Sequence, residues 1–185
     1  MNASGTVYGD MLEPTAAAFA AHWHGVIGHR RRYTGEPYIV HPCSVAQRVR
    51  YTDGCTREML ALAWLHDVLE DTPCPPDLLR FTFGPYVADL VDMLTFNSKH
   101  LFPHANRAER KAMDREFIAR ALPEAKTVKA LDRLDNIESI VEQDRDFARV
   151  FIPETKLLLL ALEGADTGAL HNLRAVVEKA ERHLA

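Results

Sequence analysis

Apolar residues recur along this chain at spacings of three and four. No stretch alternates apolar and polar positions over the length of a strand. A chain patterned this way buries its hydrophobic surface by packing helices against helices. The periodic stretches run from Ala16 to Gly28, Ser44 to Thr52, Thr56 to about Asp71, Asp77 to Phe83 and Pro85 to Thr95. They continue from Ala108 to Ala121, Glu124 to Gln143, Pro153 to Leu162 and Thr167 to Leu184. Glycine and proline punctuate them. Arg30 to His41 is irregular around Gly35 and Pro37. Pro73, Pro75 and Pro76 stop one helix and start the next. Gly84 separates two short helices, and Pro123 two longer ones. Thr56 is a predicted N-cap. Phe96 to Asn106 is a polar loop. With no repeat, low-complexity tract or linker, the 185 residues read as a single all-α domain, a bundle of about eight to ten helices.

Net charge and cysteine usage narrow the function classes. A net charge of −4 and a pI near 6.1 give no general attraction to nucleic acid or to an anionic membrane. Cys43, Cys55 and Cys74 form no CxxC pair, which fits a reducing compartment and suggests neither a disulfide framework nor a structural zinc site. Met1 to Pro14 lacks the apolar core of a signal peptide, and Leu157 to Leu162 is far too short to cross a bilayer. The expected location is the cytoplasm.

The chemistry concentrates in His66-Asp67-Val68-Leu69-Glu70-Asp71, which closes the apolar segment Met59 to Leu69. On a continuous helix, His66 and Glu70 are one turn apart, as are Asp67 and Asp71, so the polar groups share adjoining parts of one face. Acids crowded beside a histidine repel one another unless something positive sits between them, and a divalent cation is the obvious candidate. Two further residues suit such a site. His41 lies between the extended Gly35-Glu36-Pro37-Tyr38-Ile39-Val40 and a Pro-started helix, a restrained backbone that can aim a ring. Asp132 follows an apolar stretch in Lys129-Ala130-Leu131-Asp132-Arg133-Leu134-Asp135-Asn136. Two histidines and two aspartates without thiolate suit a catalytic Mn²⁺, Fe²⁺ or Zn²⁺ and lean toward Mn²⁺. Each element alone has an ordinary explanation: a satisfied histidine beside a turn, or a solvated charged face.

The four segments GEPYIVHP, LAWLHDVLEDT, FGPYVADLVDMLT and KALDRLDNIESI, in this order and spacing, resemble the hydrolase domain of RelA/SpoT-type alarmone enzymes, a branch of the HD-domain metal phosphohydrolases. The resemblance runs from about Phe19 to Ile140. With no synthetase segment following, the chain is similar to the small alarmone hydrolases. The resemblance implies Mn²⁺-dependent removal of the 3′-pyrophosphate of (p)ppGpp. It implies His41, His66, Asp67 and Asp132 as metal ligands, and Glu70 and Asp71 as the acidic pair that orients and deprotonates the attacking water. Asn136 matches a contact to the nucleotide sugar, and Ser139 a hydroxyl near the nucleotide. The family has an Arg-Lys pair before the glycine turn. Here either Arg30-Arg31 or Arg32-Tyr33 occupies it, so Arg30, Arg31 and Arg32 are all candidate substrate contacts.

Three departures bear on the base. Leu131 stands where the family usually has alanine, Phe96 where it has lysine, and Asp135 where it often has an aromatic or histidine. They leave guanine and adenine alarmones, (p)ppGpp and (p)ppApp, both open. A second basic stretch, Lys99 to Lys111, is a candidate to close over distal phosphates or to face solvent. Two rivals remain: another HD-domain nucleotide phosphohydrolase, and a regulatory or antitoxin-like protein. The last two helices are candidates for packing on the domain or for contact between two copies.

Overall fold

In the computed structural model, which describes residues 9–96 and 98–185, all regular structure is helical apart from one isolated bridge between Arg30 and Pro37. Met1 to Tyr8, part of the polar N-terminal stretch, and Asn97 of the polar loop lie outside the described residues. Contacts sort the chain into two compact units that divide between Thr95 and Phe96.

The first unit follows a short 3₁₀ turn with α1 (Leu12–Val26), α2 (Val40–Val49), α3 (Arg57–Leu65), α4 (Val68–Asp71) and α5 (Pro76–Asp92). Helix α3 is its axis, packed against α1, α2 and α5. Ala61, Leu62, Ala63 and Leu65 are wholly buried, and the two alanines allow neighbouring helices to approach closely. The Thr56 hydroxyl caps α3, accepting from the Met59 N–H at 3.1 Å. Phe19 meets Phe83 edge to face at 5.1 Å and ties α1 to α5. At Gly84 the chain takes φ 79°, a left-handed conformation open mainly to glycine, so α5 turns sharply before Pro85 as the sequence predicts.

The second unit holds α6 (Ser98–Leu101), α7 (Arg107–Ile118), α8 (Pro123–Gln143), α9 (Arg145–Ala161) and α10 (Thr167–Leu184). Helices α8, α9 and α10 pack on one another, and α7 packs on α9. Leu170, Leu173, Val177 and Ala180 are the buried stripe of α10. Arg133 locks α8 to α9: its Nε donates to Thr155 Oγ1 at 2.9 Å, and its guanidinium lies 3.6 Å over the Phe151 ring. Burial lowers its pKa to about 10, which leaves it charged. Arg107 adds a fork of two bonds to Glu154 at 2.7 and 2.9 Å. Asp132 is next to Arg133, so this lock also fixes its position along α8.

Four expectations are corrected. The helix expected from Thr56 to Asp71 is interrupted at His66-Asp67, between α3 and α4. The His66 imidazole bonds the Ala63 carbonyl, the acceptor a continuing helix offers to the Asp67 N–H. Helix α2 starts at Val40, four residues before the expected Ser44. Pro42 sits in its first turn, where a missing N–H costs nothing, so His41 belongs to the helix rather than preceding it. Helix α9 starts at Arg145 rather than Pro153. The Asp144 side chain caps it by accepting from the Phe147 N–H at 3.0 Å. Pro153 is tolerated inside because it and Arg149, whose carbonyl loses its partner, are exposed to water. The polar loop after Thr95 carries the short helix α6.

Candidate metal and acid-base site

Within the first unit the sequence brings His41, His66 and Asp67 together. His41 comes from the first turn of α2, and His66 and Asp67 from the break between α3 and α4. Both imidazoles are buried. Their Nε2 atoms face one oxygen, Asp67 Oδ2, at 3.7 Å from His41 and 3.1 Å from His66. The tautomer of His66 is set by its other nitrogen. Nδ1 lies 2.8 Å from the Ala63 carbonyl, which can only accept, so Nδ1 carries the proton. Nε2 is then the nitrogen that faces the Asp67 carboxylate, at 3.1 Å from Oδ2.

That geometry tests the fit of a divalent metal. Two ligands at right angles with bonds of about 2.1 Å stand about 3 Å apart, which matches the His66–Asp67 separation. Imidazole nitrogen with carboxylate oxygen is also the donor chemistry that Mn²⁺, Fe²⁺ and Zn²⁺ accept. Helix α4 then carries two more acids outward, Glu70 and Asp71, both reaching solvent. Asp71 keeps some of its surface in water, yet its pKa is pushed up to about 7. Partial burial is the main cause, followed by the charges of Asp67 and Glu70. The charge of His66 and the nearby Tyr38 hydroxyl oppose the rise. Without a cation, then, Asp71 resists ionising beside Asp67 and Glu70.

The second unit holds Asp132, buried on α8. Both of its oxygens have a partner one turn away. Lys129 Nζ lies 2.8 Å from Oδ2, and Asn136 Nδ2 donates to Oδ1 at 2.6 Å. Asn136, expected at the nucleotide sugar, therefore also orients Asp132. Ser139 is half-buried, one turn further along α8.

The three arginines diverge. Arg30 closes the turn, its guanidinium donating to the Gly35 carbonyl at 2.8 Å. Gly35 takes φ 70°, which places that carbonyl where the side chain reaches it. Arg32 lies over the Tyr33 ring at 5.3 Å. Burial lowers the pKa of His29, the charge of Asp67 opposes this, and the charge of Arg31 adds to it. Of the second basic stretch, Arg107 is bound to Glu154 and Lys111 to Asp114.

Sequence reasoning missed Tyr38, His24 and His29. The Tyr38 hydroxyl donates to Asp67 Oδ2 at 2.5 Å. His24 is buried, with Nδ1 3.1 Å from His29 Nδ1. Tyr38 lies inside GEPYIVHP, but its spacing from His41 carries no signature of a hydrogen bond to a residue 29 positions away. Lys129 is the readable partner, because it stands three residues before Asp132 on one helix.

Burial pushes the pKa of His24 down to about 4. The charge of Asp67 opposes this, and the rings of His29, His66 and His41 reinforce it. A histidine held neutral in the fold contributes stability that is complete above its unfolded pKa near 6.5. That contribution is lost as pH falls toward 4, because the unfolded chain takes up the proton first. In metal-free protein, the fall in melting temperature between pH 6.5 and pH 4 should be shallower for His24→Leu than for the native chain. Equal slopes would refute a neutral buried His24.

Comparison with known proteins gives the family. A sequence profile described as "HD domain" matches residues 16–157. The mouse guanosine-3′,5′-bis(diphosphate) 3′-pyrophosphohydrolase MESH1 is 37% identical over 126 residues, which cover 68% of this chain and 67% of the mouse protein. The Aquifex aeolicus protein of the same enzyme name is 34% identical over 127 residues, and the match spans only 17% of its length. Among solved structures, a metazoan orthologue of SpoT described as hydrolysing ppGpp superimposes with a TM-score of 0.81 over 97% of this chain and all of its own. At 24% identity that likeness speaks for the fold. A protein of Listeria monocytogenes EGD-e, 27% identical, gives a TM-score of 0.63 over 80% of this chain and 99% of its own.

Proposed function

Since this chain belongs to the HD-domain family, with hydrolases of the MESH1 kind among its relatives, we propose that it hydrolyses the 3′-pyrophosphate of alarmone nucleotides. The substrates are (p)ppGpp and, in this reading, (p)ppApp. The products are the nucleoside 5′-phosphate, GDP or GTP for guanine, and pyrophosphate. The observation that carries the reading is the convergence of His41 and His66 on one Asp67 oxygen, with two exposed acids one turn further on.

In this reading the two units act together as one hydrolase domain, which the unbroken family match from residue 16 to residue 157 supports. His41, His66, Asp67 and Asp132 hold a divalent metal, Mn²⁺ by preference. When bound, that metal lowers the pKa of water and stabilises charge developing on phosphate oxygens. Glu70 and Asp71 orient the water and accept its proton. The water oxygen adds to the phosphorus attached to the ribose 3′-oxygen. The bond between them breaks, and the 3′-oxygen leaves with a proton. Arg31 and Arg32 bind phosphate or stack on the base, tasks that suit a planar guanidinium. Arg30 supports them by closing the turn. Asn136 and Ser139 face the sugar from α8.

The three departures leave guanine and adenine alarmones both open as substrates. Phe96 stacks on Phe117, with ring centroids 4.7 Å apart and planes at 17°, so it offers packing where the family offers an amine. Leu131 and Asp135 are both buried. A panel of ppGpp, ppApp, GTP, ATP and a dinucleotide cofactor phosphate, each with Mn²⁺, tests the reading. Turnover only of the two nucleotides bearing a 3′-pyrophosphate is the expected result. Equal turnover of the others would make this a general HD-domain phosphohydrolase. Among the described residues no helix is long and apolar enough to cross a membrane, and the reading needs only a nucleotide partner.

A further inference from the structure

Three side chains outside the proposed ligand set, from α1 and the loop before α2, stack together and reach Asp67 through Tyr38. The Tyr38 hydroxyl donates to Asp67 Oδ2 at 2.5 Å, the same oxygen that both histidine Nε2 atoms face. The Tyr38 ring is gripped. His29 stacks on it almost in parallel, with centroids 3.8 Å apart and planes at 7°. His24 leans on it at 4.7 Å, and the His41 ring meets it at 5.7 Å and 67°. The Tyr38 backbone N–H donates to the His29 carbonyl at 3.0 Å, so backbone and stack hold the same register. His29 is steadied in turn. Its Nδ1 lies 3.1 Å from that of His24, close enough for the two nitrogens to share one proton.

An aspartate flanked by Glu70 and Asp71 is pushed by their charges to swing its carboxylate into water. Holding it between two imidazoles needs an opposing force. A phenol O–H given to a carboxylate is a charge-assisted bond, roughly twice as strong as a neutral one. A ligand already aimed also loses less freedom when the metal binds. We infer that Tyr38 is a positioning residue for metal binding: clamped by His29, it holds Asp67 Oδ2 between the His41 and His66 nitrogens. This rests on the reading above that Asp67 is a metal ligand.

Tyr38→Phe removes the hydroxyl and keeps the ring and its stack. Titration of the protein with Mn²⁺, followed by the free-ion signal in electron paramagnetic resonance, reads affinity without any substrate. The expected loss is about 10- to 100-fold, the usual range for groups that orient a metal ligand. At limiting Mn²⁺, kcat on ppGpp should fall in parallel while KM stays near the native value. The melting temperature of the metal-free protein should fall by only a few degrees, the effect of one lost hydrogen bond. His29→Ala keeps the hydroxyl and removes the stack, and should weaken Mn²⁺ in the same direction by a smaller factor. If Tyr38→Phe lowers the metal-free melting temperature by more than that, His29→Ala decides by the same titration. Native Mn²⁺ affinity in both variants would overturn the inference, as would a native protein that binds no Mn²⁺. A native protein that binds Mn²⁺ yet hydrolyses no alarmone would end the functional reading alone, and the affinity comparison would still judge Tyr38.

Discussion

Replacing Asp67 by alanine is expected to abolish Mn²⁺-dependent pyrophosphate release and to weaken Mn²⁺ by more than about 100-fold. Three groups meet at its Oδ2: the Tyr38 hydroxyl at 2.5 Å, His66 Nε2 at 3.1 Å and His41 Nε2 at 3.7 Å. Without that oxygen the two imidazoles lose the carboxylate that both of them face, and the site loses one of the charges that attract a cation. A role in folding predicts a different pattern. In the metal-free protein the Asp67 charge is a burden, because it helps drive up the pKa of Asp71. Metal-free Asp67→Ala should therefore melt within a few degrees of the native chain. What it should lose is stabilisation by added Mn²⁺, worth about 2.7 kcal/mol when the ion is at 100 times its dissociation constant. Thermal melts with and without Mn²⁺ separate the cases. A variant destabilised equally in both conditions would make Asp67 structural.

Asp71→Asn should lower kcat by about 10² to 10⁴-fold, the span typical of a lost general base, while leaving Mn²⁺ affinity within a few-fold of native. Asp71 and Glu70 project from the single turn of α4, which begins immediately after Asp67. Both reach solvent, so they are placed to meet a water molecule and not buried as ligands. The amide of asparagine keeps the shape of the carboxylate and one acceptor oxygen but cannot take a proton. Glu70→Gln is expected to fall in the same direction. Single-turnover measurement at saturating Mn²⁺ reads the chemical step. Unchanged turnover in both variants would remove the acidic pair from catalysis. A large loss of Mn²⁺ affinity would instead make Asp71 a ligand.

Helical periodicity carried the fold class because a burial pattern with period near 3.6 leaves no alternative when strand-like alternation is absent. The turn at Gly84 was legible for a similar reason: a glycine followed by a proline has few conformations to offer. Boundaries were less legible where a side chain, not a backbone preference, decides them. The break at His66-Asp67 depends on an imidazole bonding the Ala63 carbonyl. The early start of α9 depends on the Asp144 cap and on an exposed Pro153. In the candidate site, His66, Asp67, Glu70 and Asp71 stood out because charged and titratable groups interrupt an apolar run. His41 gained weight only from the motif around it. Tyr38 and His29 were invisible, since their connection to Asp67 is made in space, through a ring stack and one long-range hydrogen bond. The arginines could not be ranked from sequence. Which of them serves the turn depends on where the Gly35 carbonyl points.

The measurement closest to the central claim is separation of the products of ppGpp after incubation with the purified protein, with Mn²⁺ and with Mn²⁺ removed by a chelator. The expected result is GDP and pyrophosphate in equal amounts with Mn²⁺, and intact ppGpp without it. Intact ppGpp in both samples, from protein shown to bind Mn²⁺, would contradict the assignment, as would release of single phosphates from either end.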